Sequence, residues 1–238
     1  GQTWGTGAGQ LNEQCKWMTR LDVLTAMKTQ LGANCNVIRV PFSPLMFDSR
    51  YPEQLQRAND LVARCATLGI WVLMCPYGMA EYGDIASRKS TDEYQDETNA
   101  AAITTEVMAC HDALAPWSED KPNVLINLLN EPRRMLDATW QTQAQTWIAN
   151  LRAKGYARPI FVDGPDWATR LNATIAATMV AADSQLVFLA HHYEDSGNLG
   201  QPQGFTGSST FWPGYLAAKT AGLAIGFGEY GARVIADT

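Results

Sequence analysis

The sequence predicts an α/β fold built on a parallel sheet, and three observations predict it. Short apolar, β-branched runs alternate with longer amphipathic segments along nearly the whole chain. The runs are apolar at consecutive positions, as in strands covered on both faces. The longest polar insertions follow runs of the strand type, 76–97 after one and 196–209 after another. Loops in those places lie at the C-terminal end of a parallel sheet, where such folds keep their sites.

The elements follow in order. Asp22–Leu31 carries Val23, Leu24, Met27 and Leu31 on one helical face, with Gly32 just beyond. Val37–Val40 reads as a buried strand closed by Pro41. Glu53–Leu68 is a helix stopped by Gly69, and Ile70–Met74 the next strand. Thr98–Leu114 is helical, Val124–Leu128 a strand, Asp137–Lys154 a helix ending at Gly155, and Ile160–Val162 a strand. A shorter helix over Leu171–Ala181 precedes the strand Leu186–Leu189. A helix over Phe211–Thr220, stopped by Gly222, precedes the last strand, Leu223–Phe227. Six strands are clear and Gly1–Gly7 offers a seventh, a number that suits both a doubly wound open sheet and a barrel. The spacing Gly5-x-Gly7-x-Gly9 lacks the flanking strand and helix of a dinucleotide loop.

Bulk composition narrows the function classes. The 238 residues are read as a single domain, 1–238, with 46% hydrophobic and 18% charged residues, as expected of a packed core. The formal net charge is −6 and only the pair Arg133-Arg134 interrupts the scarcity of basic clusters, so nucleic acid is not an expected partner. No apolar stretch reaches the length of a bilayer span, and no membrane partner is expected. The chain begins at Gly1 rather than Met, which points weakly to an extracellular or periplasmic setting. Cys15, Cys35, Cys65, Cys75 and Cys110 form no Cys-x-x-Cys pair and have no histidine at ligand spacing, so neither a zinc site nor another cofactor is expected. Cys65 and Cys75 read as packed small hydrophobes, and a Cys15–Cys35 bridge would tie down the N-terminal segment.

The chemistry is concentrated at strand ends. Leu128-Leu129-Asn130-Glu131-Pro132 brings an amide and a carboxylate out of an apolar strand, and Ile225–Gly231 brings out Glu229 among glycines. A pair of glutamates at one end of a sheet suits glycosidic cleavage, which needs one protonated carboxyl to release the leaving oxygen and one ionised carboxylate at the anomeric carbon. Arg39, inside Val37–Pro41, has a use there if it holds Glu229 ionised. His191-His192-Tyr193 supplies two imidazoles and a phenol at another strand end, while His111 in mid-helix reads as structural. A serine hydrolase would want a Gly-x-Ser-x-Gly elbow, which is not present, and three histidines make a metal-dependent hydrolase a poor reading.

Taken together, NVIRVPF (36–42), VLINLLNEP (124–132), PIFVDGPDW (159–167), FLAHHY (188–193) and IGFGEYG (225–231) resemble glycoside hydrolase family five, the cellulase family among the retaining (β/α)8-barrel glycosidases. They run in the family's order over its strands two, four, five, six and seven. The resemblance implies a (β/α)8 (TIM) barrel with Glu131 as acid/base and Glu229 as nucleophile. It implies that Arg39 orients the nucleophile, Asn130 bonds the sugar 2-hydroxyl, His191 and Tyr193 serve the site from strand six, and Trp167 offers an aromatic platform. On that reading Glu131 has a raised pKa and Glu229 is held ionised. The substrate expected is a β-1,4-glucan cleaved internally, with β-mannan next. A non-catalytic carbohydrate-binding protein is the alternative from another class.

Two departures stand out. Where the family commonly has a histidine after strand three, this chain reads Cys75-Pro76-Tyr77, so Tyr77 is the expected substitute. Only nine residues follow Glu229, so the barrel is short of, or rearranged at, its first or eighth strand. Three arrangements would answer this: Gly1–Gly5 as the first strand of an incomplete barrel, the same segment with Trp4 as the eighth strand, or a strand from a second subunit in a homo-oligomer. A bare parallel edge is a pairing hazard.

Overall fold

The computed structural model describes residues 21–42, 44–77, 100–133, 135–193 and 211–231. Within them, six parallel strands lie in sequence order: β1 (Val37–Phe42), β2 (Trp71–Pro76), β3 (Val124–Asn127), β4 (Ile160–Asp163), β5 (Leu186–Tyr193) and β6 (Ile225–Gly231). Each neighbours the next in the chain, so every crossover steps the same way and the sheet curls into a half-barrel. The crossovers contain the helices α1 (Leu21–Leu31, before β1), α2 (Pro52–Thr67), α3 (Ala100–Ser118), α4 (Asp137–Ala153), α5 (Ala173–Ala182) and α6 (Phe211–Thr220).

Local sequence explains the boundaries. α2 begins with Pro52, whose missing N–H costs nothing at the first helical position, and Gly69 beyond it adopts φ 66°. Asn172 caps α5 by accepting from the Thr174 and Ile175 backbone N–H groups. The six expected strands and the six helices exist, with ends moved by a few residues; the strand offered at Gly1–Gly7 lies outside the described residues. The largest changes are at β5 and β6, which run on to Tyr193 and Gly231 because their polar residues also pair in the ladder.

Strand periodicity divides the residues into two faces. Val72, Met74, Val124, Ile126, Ile160, Val162, Leu186 and Phe188 pack against the helices in one core with Leu61, Val107, Leu114, Trp140, Trp147 and Met179. The alternate residues, among them Arg39, Asn127, Asp163 and His191, point to the concave side.

The expectation of strands covered on both faces holds for β2 to β5 and fails at the margins. Among the described residues nothing pairs with the outer edge of β1 or β6. There Val37 is 49% and Phe227 53% exposed. The segments expected to close the barrel, Trp4 included, lie outside the described residues. Cys35, Cys65, Cys75 and Cys110 are buried free thiols; the expected Cys15–Cys35 bridge rests on Cys15, which lies outside the described residues.

Candidate active site

Arg39 organises the concave side. As the third residue of β1 it faces inward, nearly buried, and its guanidinium reaches four partners from four other strands or their ends. Nη1 donates to Glu229 Oε1 at 2.5 Å, and Nη2 lies 2.9 Å from both Asn130 Oδ1 and Asp163 Oδ2 and 3.0 Å from Cys75 Sγ. Burial alone would lower its pKa. Cys75, Asp163, Glu229 and Glu131 around it outweigh that and raise it above the ordinary arginine value. Cys75, expected only to pack, is therefore also a sulfur acceptor beneath the guanidinium.

Glu131 follows β3 with φ 48°, a left-handed backbone that a side-chain-bearing residue adopts at a cost of about 1–3 kcal/mol. Its N–H donates to Asp163 Oδ2 at 3.0 Å. Its Oε1 lies 2.8 Å from His191 Nδ1. Asn130 Nδ2 is 3.5 Å from Glu131 Oε2, at the outer limit of a hydrogen bond. His191 is buried between the carboxylates, with Nδ1 3.8 Å from Glu229 Oε1 and Nε2 3.3 Å from Asp163 Oδ2. Burial would push its imidazole down. The charge of Asp163, the hydrogen bond to Glu131 and the charge of Glu229 overcome that and raise it above the usual histidine value, against Arg39.

One oxygen of Glu131, one of Glu229 and a nitrogen of His191 lie within 4.8 Å of one another. Such a trio is a conceivable metal set, but the Arg39 guanidinium already sits on Glu229 and supplies the positive charge at that place.

A β-bulge brings Glu229 to this face. Ala190 pairs with Phe227 but His191 pairs with Glu229, so Gly228 is the extra residue. Without it the period of two would send Glu229 to the opposite face. Gly228 also lies against the His191 ring: a Cβ there would come within 2.5 Å of Nε2.

Trp167 follows β4, half-buried, in a run of three left-handed residues, Asp166, Trp167 and Ala168, with φ of 54°, 60° and 57°. Its N–H donates to Pro132 O at 3.1 Å, joining the β3 and β4 loops. The Arg133 guanidinium lies over the Trp167 ring, 4.6 Å from its centroid. Tyr77 follows β2 at the same end of the sheet, half-buried, its backbone N–H on Phe42 O. Tyr193 ends β5; its backbone pairs with Gly231, and its side chain is outside the description.

The structure places Arg39, Asn130, Glu131, His191 and Glu229 together, and with them Asp163 and Asn127, which sequence reasoning did not single out. Asp163 is fully buried, accepts from Arg39, from Glu131 N–H and from Asn127 Nδ2 at 2.7 Å, and its carbonyl takes the Trp140 indole N–H. The available signal was a carboxylate ending the apolar run Ile160-Phe161-Val162, the same oddity that singled out Arg39.

Residues 4–236 match the family model described as Cellulase (glycosyl hydrolase family 5). The chain belongs to glycosyl hydrolase family 5. Solved structures of similar fold include the catalytic domain of a mannanase from Streptomyces sp. SirexAA-E (21% identity, TM-score 0.60, 90% of this chain and 62% of that one). The catalytic domain of Thermobifida fusca endoglucanase Cel5A is also similar (16%, TM-score 0.64, 95% and 66%). So is a halotolerant family 5 cellulase from an Icelandic hot-spring isolate (18%, TM-score 0.61, 90% and 62%). This family 5 chain thus spans less than two thirds of the length of these three structures, and its half-barrel is a partial (β/α)8 barrel. No curated protein matches it.

Proposed function

We propose that this family 5 chain is a retaining glycoside hydrolase that cleaves β-1,4-linked glucan internally by double displacement. The observation that carries the reading is the pair of carboxylates, Glu131 and Glu229, with oxygens within 4.8 Å and with different partners. That gap suits the roughly 5–5.5 Å spacing of retaining enzymes better than the roughly 6.5–9.5 Å of inverting ones.

Glu229, bound to the Arg39 guanidinium, attacks the anomeric carbon. The bond to the leaving oxygen breaks, and that oxygen takes the proton of Glu131. Glu131, now ionised and bonded to His191, then accepts a proton from the water that attacks the glycosyl ester, and Glu229 leaves as carboxylate. Asn130, held by Arg39, is the donor for the 2-hydroxyl, and the Trp167 ring is a sugar platform. β-Mannan is the second reading, favoured by the structural likeness to a mannanase.

Hydrolysis of soluble β-1,4-glucan and β-mannan, followed by proton NMR of the first product anomer, tests the proposal. The β-anomer should appear first, and Glu229→Gln should lose at least about 10⁴-fold in kcat with little change in Tm. An α-anomer first would reject retention, and near-normal activity of E229Q would reject the nucleophile. Sugar binding without any product would favour the non-catalytic alternative.

A further inference from the structure

Three carboxylates, Glu131, Asp163 and Glu229, converge on a single guanidinium, and among the described residues around them His191 is the group that can add a second positive charge. We propose that Asp163 is a positioning residue for the acid/base, gripping Glu131 at both ends: its carboxylate holds the backbone N–H of Glu131 and faces the ring nitrogen of His191 remote from the Glu131 carboxyl. This rests on the assignment of Glu131 as acid/base.

The geometry supplies both grips. Asp163 Oδ2 accepts the N–H of the left-handed residue Glu131 at 3.0 Å, which fixes where that side chain leaves the backbone. The same oxygen lies 3.3 Å from His191 Nε2, which has no other hydrogen-bond partner among the described residues, while Nδ1 lies 2.8 Å from Glu131 Oε1. Asp163 is itself immobilised by Arg39, Asn127 and complete burial. With its proton on Nε2 toward Asp163, a neutral His191 presents a bare Nδ1 that accepts from the Glu131 carboxyl. When that proton crosses, Nδ1–H of the imidazolium donates to the Glu131 carboxylate. One proton moves along one hydrogen bond, and the buried anion of Asp163 favours the cationic ring.

The groups facing His191 are Arg39 from β1, Glu131 after β3, Asp163 from β4 and Glu229 from β6, with the Cys75 thiol of β2 beneath Arg39. Of these, Asp163 is the carboxylate that this mechanism never protonates or esterifies, so its charge is constant while the others change. It therefore sets a fixed bias on the Glu131–His191 proton. Its replacement by asparagine removes the charge and keeps the shape.

The test begins on the resting protein, labelled with ¹⁵N-histidine. There are three histidines, and His191→Asn assigns the signal. Neutral His191 should carry its proton on Nε2, and its titration midpoint should fall by about one pH unit or more in Asp163→Asn. In the hydrolysis assay D163N should lose about 100-fold or more in kcat, with KM changed less than about threefold. The basic limb of its kcat/KM profile should move to lower pH.

A proton on Nδ1, or a D163N midpoint equal to that of the unaltered protein, overturns the proposal. So does a D163N protein of lower Tm whose pH limb has not moved, which is the mark of a packing role alone. The tautomer is read in the unaltered protein and decides the matter even if D163N does not fold. None of the NMR readings needs a substrate, so an inactive protein would reject the hydrolase reading and leave this test standing.

Discussion

At the scale of single residues, the site is built from polar side chains placed where strand periodicity turns them inward. Arg39 interrupts an apolar strand, which is why it was legible: a buried guanidinium requires partners, and the sequence offered carboxylates at other strand ends. Glu229 was named as its partner, whereas Asp163, 124 residues away along the chain, was not. Asp163 obeyed the same rule but sat in a motif whose tryptophan drew the functional reading. The shape of the Arg39 fork carries a prediction. A lysine keeps the charge but cannot bridge Glu229 and Asn130 together with Asp163. Arg39→Lys should therefore lower kcat by about 10²-fold or more and lower Tm, since it leaves buried acceptors unsatisfied at about 1–3 kcal/mol each. Steady-state kinetics and a melting curve check both, and an R39K protein with unaltered kcat would show that the charge alone suffices.

At the scale of elements, type and order were legible throughout, because apolar period and glycine or proline stops are local signals. Register was not. The bulge at Gly228 depends on how β6 lies against β5, and nothing within Ile225–Gly231 announces that one residue is skipped. Gly228 gives room for the His191 ring. Gly228→Ala places a methyl 2.5 Å from Nε2 and 3.3 Å from Leu189 Cβ, and the imidazole must give way. The expected result is a loss of about 1–3 kcal/mol in stability, as for overpacked cores. A larger fractional loss of activity should accompany it, because His191 moves off Glu131. Comparison of Tm with kcat/KM tests this; a variant that loses stability and keeps its activity would mean the ring position is not critical.

At the scale of the whole molecule, the barrel class followed from the resemblance, while alternation alone left an open sheet equally acceptable. Two buried histidines then give the fold a pH window with opposite slopes on its two sides. His111, in α3, is fully buried, and its Nε2 meets the Leu128 carbonyl at 2.9 Å, just before Asn130 and Glu131. Burial lowers its pKa from 6.5 to about 4, with the Leu128 hydrogen bond and Asp112 opposing. Unfolded chains bind that proton near pH 6.5 and folded ones only near pH 4. The stabilising contribution of neutral His111 is thus complete above about 6.5 and is lost as pH falls toward 4, about 3 kcal/mol in all. His191 has the opposite sign: its folded pKa lies above 6.5, so its contribution is complete below that value and is lost as pH rises through the folded pKa. Asp112, Asp120 and Asp183 have pKa values held below 3.8, and their contributions are lost only under more acid conditions. Among the described residues, the window between pH 4 and 6.5 therefore belongs chiefly to His111. Denaturant unfolding measured from pH 4 to 9 should show stability rising with pH through that window in the unaltered protein. In His111→Gln, which keeps a donor for Leu128, the rise should be largely abolished while the alkaline fall remains. In His191→Asn the alkaline fall should shrink and the acid slope persist. An acid slope that survives in H111Q would place the responsible proton elsewhere.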